Sequence, residues 1–262
     1  GSHADSGETY LEGKGKVMLM MQQESKGKVN ATKKKILITG ASGLLGGAIC
    51  KRRAAQGMRR VIWGRDKDRL ERLSNDLGKQ FDSQSEVDLF KPESIHSALA
   101  QIQKDGEFGG LVHGAAPPIA YTTVDDPKNH QSLYHHWMVG VSAFNQICQA
   151  LIPLMKEGGS IVSILSQYAF DAPPAKLSAY VSAKMAAWGL IRAMAMELGP
   201  KGIRCNAVSP GLMNTPFSKE VPVRLKQVEE AINPMRRLCT VEDVANVVAF
   251  LLGPESSFIN GT

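Results

Sequence analysis

Tyr180 and Lys184 are spaced to do proton chemistry. In Tyr180-Val-Ser-Ala-Lys184 the two side chains share one face of a helix, about one turn apart. A phenol with an ordinary pKa of about 10 is a poor base at neutral pH. A neighbouring ammonium favours the phenolate and is expected to bring that pKa toward the working range. Ser166, upstream of the pair, can hold a substrate oxygen through its hydroxyl. Together the three could move a proton to or from a carbonyl or alcohol. The spacing alone is common on helices, so the surrounding elements decide its meaning.

Those elements alternate. Lys35-Ile36-Leu37-Ile38-Thr39 is an apolar run suited to a buried strand, and glycines follow at 40, 43, 46 and 47. A helix is expected from about Leu44 to Gln56, ended by Gly57. Further strands are expected at Arg60–Trp63, Ser85–Asp88, Gly110–His113, Ser160–Leu165 and Arg204–Ser209. Helical patterns lie over Asp66–Leu77, 92–104, 129–154 and 178–199. Strands alternating with helices predict an α/β fold: a Rossmann-type, doubly wound parallel sheet in a single domain over residues 34–262. The first strand–glycine–helix unit suits a pyrophosphate, because a tight turn lets the backbone approach and the helix start offers free N–H groups.

At the end of the second strand stands Trp63-Gly64-Arg65-Asp66. A site for NAD usually places a carboxylate there for the ribose hydroxyls. Gly64 followed by Arg65 instead suits a 2′-phosphate, which a guanidinium can grip bidentately. Asp66 falls one step late and is expected to cap the next helix. NADP(H) is therefore favoured over NAD(H).

Over residues 34–262 these motifs resemble the short-chain dehydrogenase/reductase family. Thr39-Gly40-Ala41-Ser42-Gly43-Leu44-Leu45-Gly46 is similar to its cofactor-binding turn, and Glu86-Val87-Asp88-Leu89 to the stretch whose aspartate contacts adenine. Gly159-Ser160-Ile161-Val162-Ser163-Ile164-Leu165-Ser166 resembles the strand that ends in the catalytic serine. Asn206-Ala207-Val208-Ser209-Pro210-Gly211 resembles the loop over the nicotinamide, with Thr215 placed to touch the carboxamide or the phosphates, and Asn233–Arg237 with Val241–Ala245 resembles the start of the last helix. The resemblance implies an oxidoreductase in which Tyr180 exchanges the substrate proton, Lys184 lowers its pKa and binds the nicotinamide ribose, and Ser166 orients the carbonyl. It further implies cofactor contacts from Gly40, Ser42, Gly43, Leu44, Leu45, Gly46, Arg65, Asp88, Leu89, Ala115, Tyr180, Lys184, Pro210, Gly211, Leu212 and Thr215.

The chain departs from the family pattern in several places. Its glycines are spaced G-x-x-G-x-x-G rather than G-x-x-x-G-x-G, a spacing more usual in the family's longer branch, which handles nucleotide sugars. His113-Gly114-Ala115-Ala116 replaces an Asn-Asn-Ala-Gly stretch, and His113 is read as structural. Val139-Gly140 falls where the family carries an active-site asparagine. After Ser257-Phe258-Ile259-Asn260-Gly261-Thr262 the family continues into a final strand, so the sheet is expected to lack its last strand and expose an edge. The expected function is reduction of a ketone, keto-acyl or sugar-derived carbonyl to a secondary alcohol, or the reverse. The alternatives are a catalytically impaired cofactor-binding scaffold or a sugar-nucleotide epimerase or dehydratase. The substrate pocket is expected from Gln167–Leu177, Pro117–Val124 and Met213–Val221, whose residues suit a partly apolar substrate, free or carrier-bound.

Composition fits this picture. The 262 residues are 43% apolar and 21% charged, as in a globular domain. Cys50, Cys148, Cys205 and Cys239 are scattered without metal-ligand spacing, predicting reduced, buried thiols, no metal and a cytoplasmic setting. Of the net charge of +6, a balance of +3 lies in residues 1–35. Gly1-Ser2-His3 resembles a tag remnant, and the remainder of 1–33 is expected to be a flexible basic leader. Its apolar run Val17–Met21 is a candidate cover for the sheet edge. No nucleic-acid or membrane partner is expected, whereas helices 129–154 and 178–199 carry apolar residues on more than one face, one for the sheet and another for a symmetry mate, and the resemblance implies a homodimer or homotetramer through them.

Overall fold

In the computed structural model, residues 35–52 and 58–262 are described. The expected leader of residues 1–33, with its apolar run, therefore lies outside the described residues. So does the Gln56–Gly57 end proposed for the first helix.

Six strands form one parallel sheet in the order β3-β2-β1-β4-β5-β6. They are β1 (Lys35–Thr39), β2 (Arg59–Gly64), β3 (Phe81–Glu86), β4 (Phe108–His113), β5 (Met155–Ile164) and β6 (Arg204–Val208). Helices α1 (Leu44–Lys51), α2 (Lys67–Leu77) and α3 (Pro92–Ile102) follow the first three strands. Next come α4 (Pro127–Trp137), α5 (Ala143–Leu151) and α6 (Ser178–Leu198), then α7 (Val223–Ile232) and α8 (Val241–Leu252).

Alternation along the central strands divides the core. Ile36, Ile38, Ile62 and Val112 face one side with Ile49, Leu70, Val248 and Leu251 from helices α1, α2 and α8. Leu37, Val61, Leu111 and Ile161 face the other with Ile95, Phe144, Ile147 and Ile191 from α3, α5 and α6. Successive side chains point to opposite faces of a strand, so an unbroken apolar run can feed both layers. Each such side chain contributes roughly 1.5–3 kcal/mol when fully buried. The order reverses between β1 and β4, which opens a crevice at the strands' carboxyl ends.

Several boundaries differ from those expected. Helix α1 closes at Lys51, with Arg52 already extended. Strand β3 starts at Phe81 rather than Ser85 because it is an edge strand, half-covered and polar in sequence, and it lacks the apolar signature of the centre. Strand β5 starts at Met155, since an irregular register carries the exposed Lys156-Glu157-Gly158 into the ladder. The long helix expected over 129–154 is divided by a π-helical stretch, Met138–Ser142, and ends in a 3-10 turn over Ile152–Leu154. Helix α7 was not anticipated; none of its residues is buried, so it lacks a strong apolar stripe.

Among the described residues no strand pairs on the outer side of β6, yet that edge is not bare. Gly261 N–H donates to Cys205 O at 2.9 Å, and Ala207 N–H donates to Thr262 O at 2.6 Å. The Asn260 and Asn206 side chains add bonds to the same edge. Among the described residues one helical stretch, Pro127–Leu154, is long and apolar enough to cross a membrane, with mean hydropathy 1.2. Its Phe144, Ile147, Cys148 and Leu151 pack into the sheet core, as in a globular domain. All four cysteines are free; three are buried, but Cys239 is partly exposed, against expectation.

Candidate active site

The crevice holds about 350 Å³ and runs from the glycine turn to the start of α6. Every residue assigned from sequence to catalysis or cofactor binding lines it: Ser166, Tyr180 and Lys184, with Gly40, Ser42, Gly43, Leu44, Leu45, Gly46, Arg65, Asp88, Leu89, Ala115, Pro210, Gly211, Leu212 and Thr215.

The glycine turn is shaped for close approach. Gly40 adopts φ +73°, in the left-handed region. A Cβ on Gly46 would lie 2.2 Å from Gly40 O, so the first turn of α1 packs on the loop only without a side chain there. Gly43 caps α1 without any side-chain bond, leaving the first N–H groups free of intrahelical partners. Such a helix start favours anionic oxygens. On this donor set, and with Arg65 and Arg69 along the same wall, the residues fit a dinucleotide pyrophosphate.

Beyond the turn, Asp88 is fixed by its neighbours. Its carboxylate accepts from Phe90 N–H at 3.1 Å, and its own N–H donates to Ser94 Oγ at 3.0 Å. Asp66 caps α2 as expected, accepting from Arg69 N–H at 3.0 Å, and also pairs with the Arg69 guanidinium at 3.1 Å. Both of its carboxylate oxygens are thus engaged by Arg69.

At the other end, β5 delivers Ser166 and α6 delivers Tyr180 and Lys184. Ser166 is 6% exposed, caps a short 3-10 turn by accepting from Tyr168 N–H at 3.3 Å, and hydrogen-bonds the Tyr180 hydroxyl. Lys184 Nζ donates to Ile164 O at 2.6 Å and lies 5.6 Å from the Tyr180 ring centroid. The tyrosine and lysine therefore share a face and a cleft with the serine, as expected. The expected electrostatics are not met. Burial pushes the Tyr180 hydroxyl up to about 12, opposed only by the Ser166 bond, and it brings Lys184 down to about 8. The ammonium is engaged by the Ile164 carbonyl, and desolvation dominates at the phenol.

His113 is structural, as read. It lies between Thr39 Oγ1, at 3.0 Å from Nδ1, and Val139 O, at 3.1 Å from Nε2. With Nε2–H donating to Val139 O and Nδ1 accepting from the threonine, it ties the β1 and β4 ends to the π-helical stretch. Burial, then the Lys184 charge, lowers its pKa to about 3, so it stays neutral.

Of the expected pocket segments, Pro117, Ile119, Tyr168, Met213 and Phe217 line the crevice, whereas 170–177 and 120–124 do not. Three features escaped the sequence reading. Arg69 is legible in retrospect as a second guanidinium one helical turn past Arg65. Ser218 donates its hydroxyl to Met213 O at 2.6 Å, with Thr215 O 3.1 Å away, fixing the loop after Pro210. Glu229 of α7 accepts from Tyr168 OH at 2.7 Å and Gln167 Nε2 at 3.1 Å, pinning α7 beside the site. A surface helix gives no sequence signal for such a contact.

Comparison with known proteins gives the same picture. A family model described as enoyl-(acyl carrier protein) reductase matches residues 40–262. The D-beta-hydroxybutyrate dehydrogenase of Rhizobium meliloti (strain 1021) is 29% identical over 252 residues, covering 87% of this chain and 95% of that one. A short chain dehydrogenase from Burkholderia cenocepacia J2315, solved in complex with NADP, is similar with a TM-score of 0.80 and 29% identity, over 88% of this chain and 94% of its own. The 3-ketoacyl-(acyl-carrier-protein) reductase from Brucella melitensis, complexed with NADH, gives a TM-score of 0.78 and 28% identity, over 87% and 94%.

Proposed function

Since the chain belongs to the short-chain dehydrogenase/reductase family of carbonyl/alcohol oxidoreductases, we propose that it reduces a carbonyl to a secondary alcohol, or the reverse, with NADP(H). The observation that carries this reading is the convergence of Ser166, Tyr180 and Lys184 on a crevice whose far end is a glycine-lined helix start. The nicotinamide supplies the hydride; the chain's part is position and proton handling. Ser166 holds the substrate oxygen, and the Tyr180 hydroxyl, kept protonated by burial, donates to it as charge develops there. Lys184 supplies the positive charge that favours the resulting phenolate.

Preference for NADP(H) is supported at the β2 end. A Cβ on Gly64 would lie 2.5 Å from Ser42 Oγ, so a carboxylate-bearing side chain there would have to displace Ser42. Arg65 and Arg69 line the wall beside it, and Asp66 is engaged in its cap. Removing a guanidinium from a phosphate costs about 1.5–3 kcal/mol, roughly 10- to 150-fold in affinity. Arg65→Ala should raise the KM for NADPH by that order and leave the KM for NADH nearly unchanged. Equal effects on both cofactors would remove the preference.

The substrate end, with Pro117, Ile119, Tyr168, Met213 and Phe217, supports an uncharged, partly apolar carbonyl compound, free or bound to a carrier. The free thiols support a reducing, cytoplasmic setting, and a homo-oligomer is part of the same proposal.

A further inference from the structure

Glu229 of α7 is a half-buried carboxylate beside the substrate end of the crevice. Its Oε1 accepts from the Tyr168 hydroxyl at 2.7 Å, and its Oε2 accepts from Gln167 Nε2 at 3.1 Å. Both donors are neutral, and among the described residues Glu229 enters no ion pair. Cations nearby in sequence are committed elsewhere. Lys219 pairs with Glu220 at 3.8 Å, Lys226 donates to Asn214 Oδ1 at 3.0 Å, and Arg237 pairs with Asp243. The charge on Glu229 is therefore hydrogen-bonded but not neutralised. Tyr168 stands between that charge and the crevice. It lines the crevice wall and packs in one apolar cluster with Ile119, Tyr180 and Leu212. Burial first, and then the Glu229 bond, holds its phenol above the ordinary range, so the hydroxyl stays a donor to the carboxylate. A hydroxyl has one proton, and this one is already given away.

We propose that Glu229 is a specificity-determining residue of the substrate end: its unpaired charge behind Tyr168 turns away carbonyl substrates that carry a carboxylate or phosphate on that side, and admits neutral or cationic ones. The inference rests on the carbonyl-reductase reading and gives its substrate class a physical cause. A substrate group touching the phenol oxygen lies about 5–6 Å from the carboxylate, since two hydrogen-bond lengths separate them. A like charge at that separation loses roughly 10- to 100-fold in affinity where the effective dielectric is about 20–40. The opposing charge at this end is Lys184, engaged by Ile164 O at 2.6 Å. It attracts anions alike in the wild type and in variants of Glu229, so a changed ratio between substrates isolates the α7 charge.

The test compares 4-oxopentanoate with its methyl ester, a pair that differs in charge but presents the same carbonyl. Wild-type protein should prefer the ester in kcat/KM. Glu229→Gln, whose amide oxygen still accepts from Tyr168, should narrow that preference roughly 10- to 100-fold, through the KM for the acid rather than through kcat. Glu229→Ala, which also frees the Tyr168 hydroxyl to meet an anion, should narrow it further. A merely structural role would slow both substrates alike and leave their ratio where it stands. That result, or a wild type indifferent to the charge, overturns the proposal. A second measurement needs no turnover: calorimetric titration of NADP-loaded protein should give the same ratio in Kd, and the same narrowing in Glu229→Gln. An unchanged Kd ratio overturns the role of Glu229 while NADPH oxidation with the ester keeps the carbonyl-reductase reading intact. Should the wild type reduce neither compound, that reading fails, and the Kd ratio alone decides what Glu229 does; binding of neither overturns both.

Discussion

Residue type and burial set the chemistry of Lys184 and Tyr180 together. The identities and helical spacing of this pair, and the Ser166 at a strand end, were legible in the sequence because a four-residue offset on a helix fixes a shared face. Their pKa values were not. A helical offset shows an ammonium near the phenol but not how deeply either is buried, and burial raises the phenol to about 12. His136 was likewise invisible as a neighbour of Tyr180, since its contact crosses from α4 to α6. A pH dependence follows from Lys184. Its pKa is lowered to about 8 by burial, so the ammonium is present below that value and lost above it. The kcat/KM for reduction, which reports the free enzyme, should therefore decline as pH rises through about 8. In Lys184→Arg, whose guanidinium keeps its charge, that decline should vanish from the profile even though the rate is lower. A decline that persists unchanged in the variant would assign it to another group.

At the scale of elements, the glycine spacing that departs from the family's commoner pattern still builds a close turn. Gly40 takes the left-handed conformation and Gly46 lets α1 meet the loop. Gly46→Ala would set a methyl against the Gly40 carbonyl, a backbone atom that cannot swing aside. Overpacking of this kind costs about 1–3 kcal/mol. If the shift falls on the α1 start, the Kd for NADPH should rise by roughly 5- to 150-fold, read by quenching of protein fluorescence. Unaltered affinity in a folded variant would mean that this helix start does not carry the pyrophosphate. The central strands were readable because Ile36–Ile38 and their partners are buried on both faces. The starts of β3 and β5 were not, since Asp82 and Lys156 fall in register shifts at the strand starts, where apolar pattern fades. The division of the 129–154 helix at Met138–Ser142 was equally silent: its cue is the His113 bond to Val139 O, a contact made across 26 positions of sequence.

For the whole molecule, the parallel α/β architecture followed directly from the alternation of apolar runs and amphipathic stretches, and the family resemblance from motif order along the chain. Assembly is less legible, because outward apolar residues on a helix do not name their partner. Trp137, Phe170, Met185 and Met196 are exposed, Met196 at 80%, around α4 and α6. Apolar exposure of this kind suits a self-complementary contact between copies. Sedimentation equilibrium should therefore give at least a dimer, and Met196→Glu should shift it toward monomer by placing a charge in the contact; a monomeric wild type would contradict the proposal. The central claim, that Tyr180 exchanges the substrate proton, is tested most directly by NADPH oxidation with a panel of uncharged ketones and keto-acyl thioesters. Wild-type protein should turn over at least one of them, and Tyr180→Phe should lose about 10²- to 10⁴-fold in kcat while still binding NADPH. Turnover undiminished in Tyr180→Phe would contradict the account.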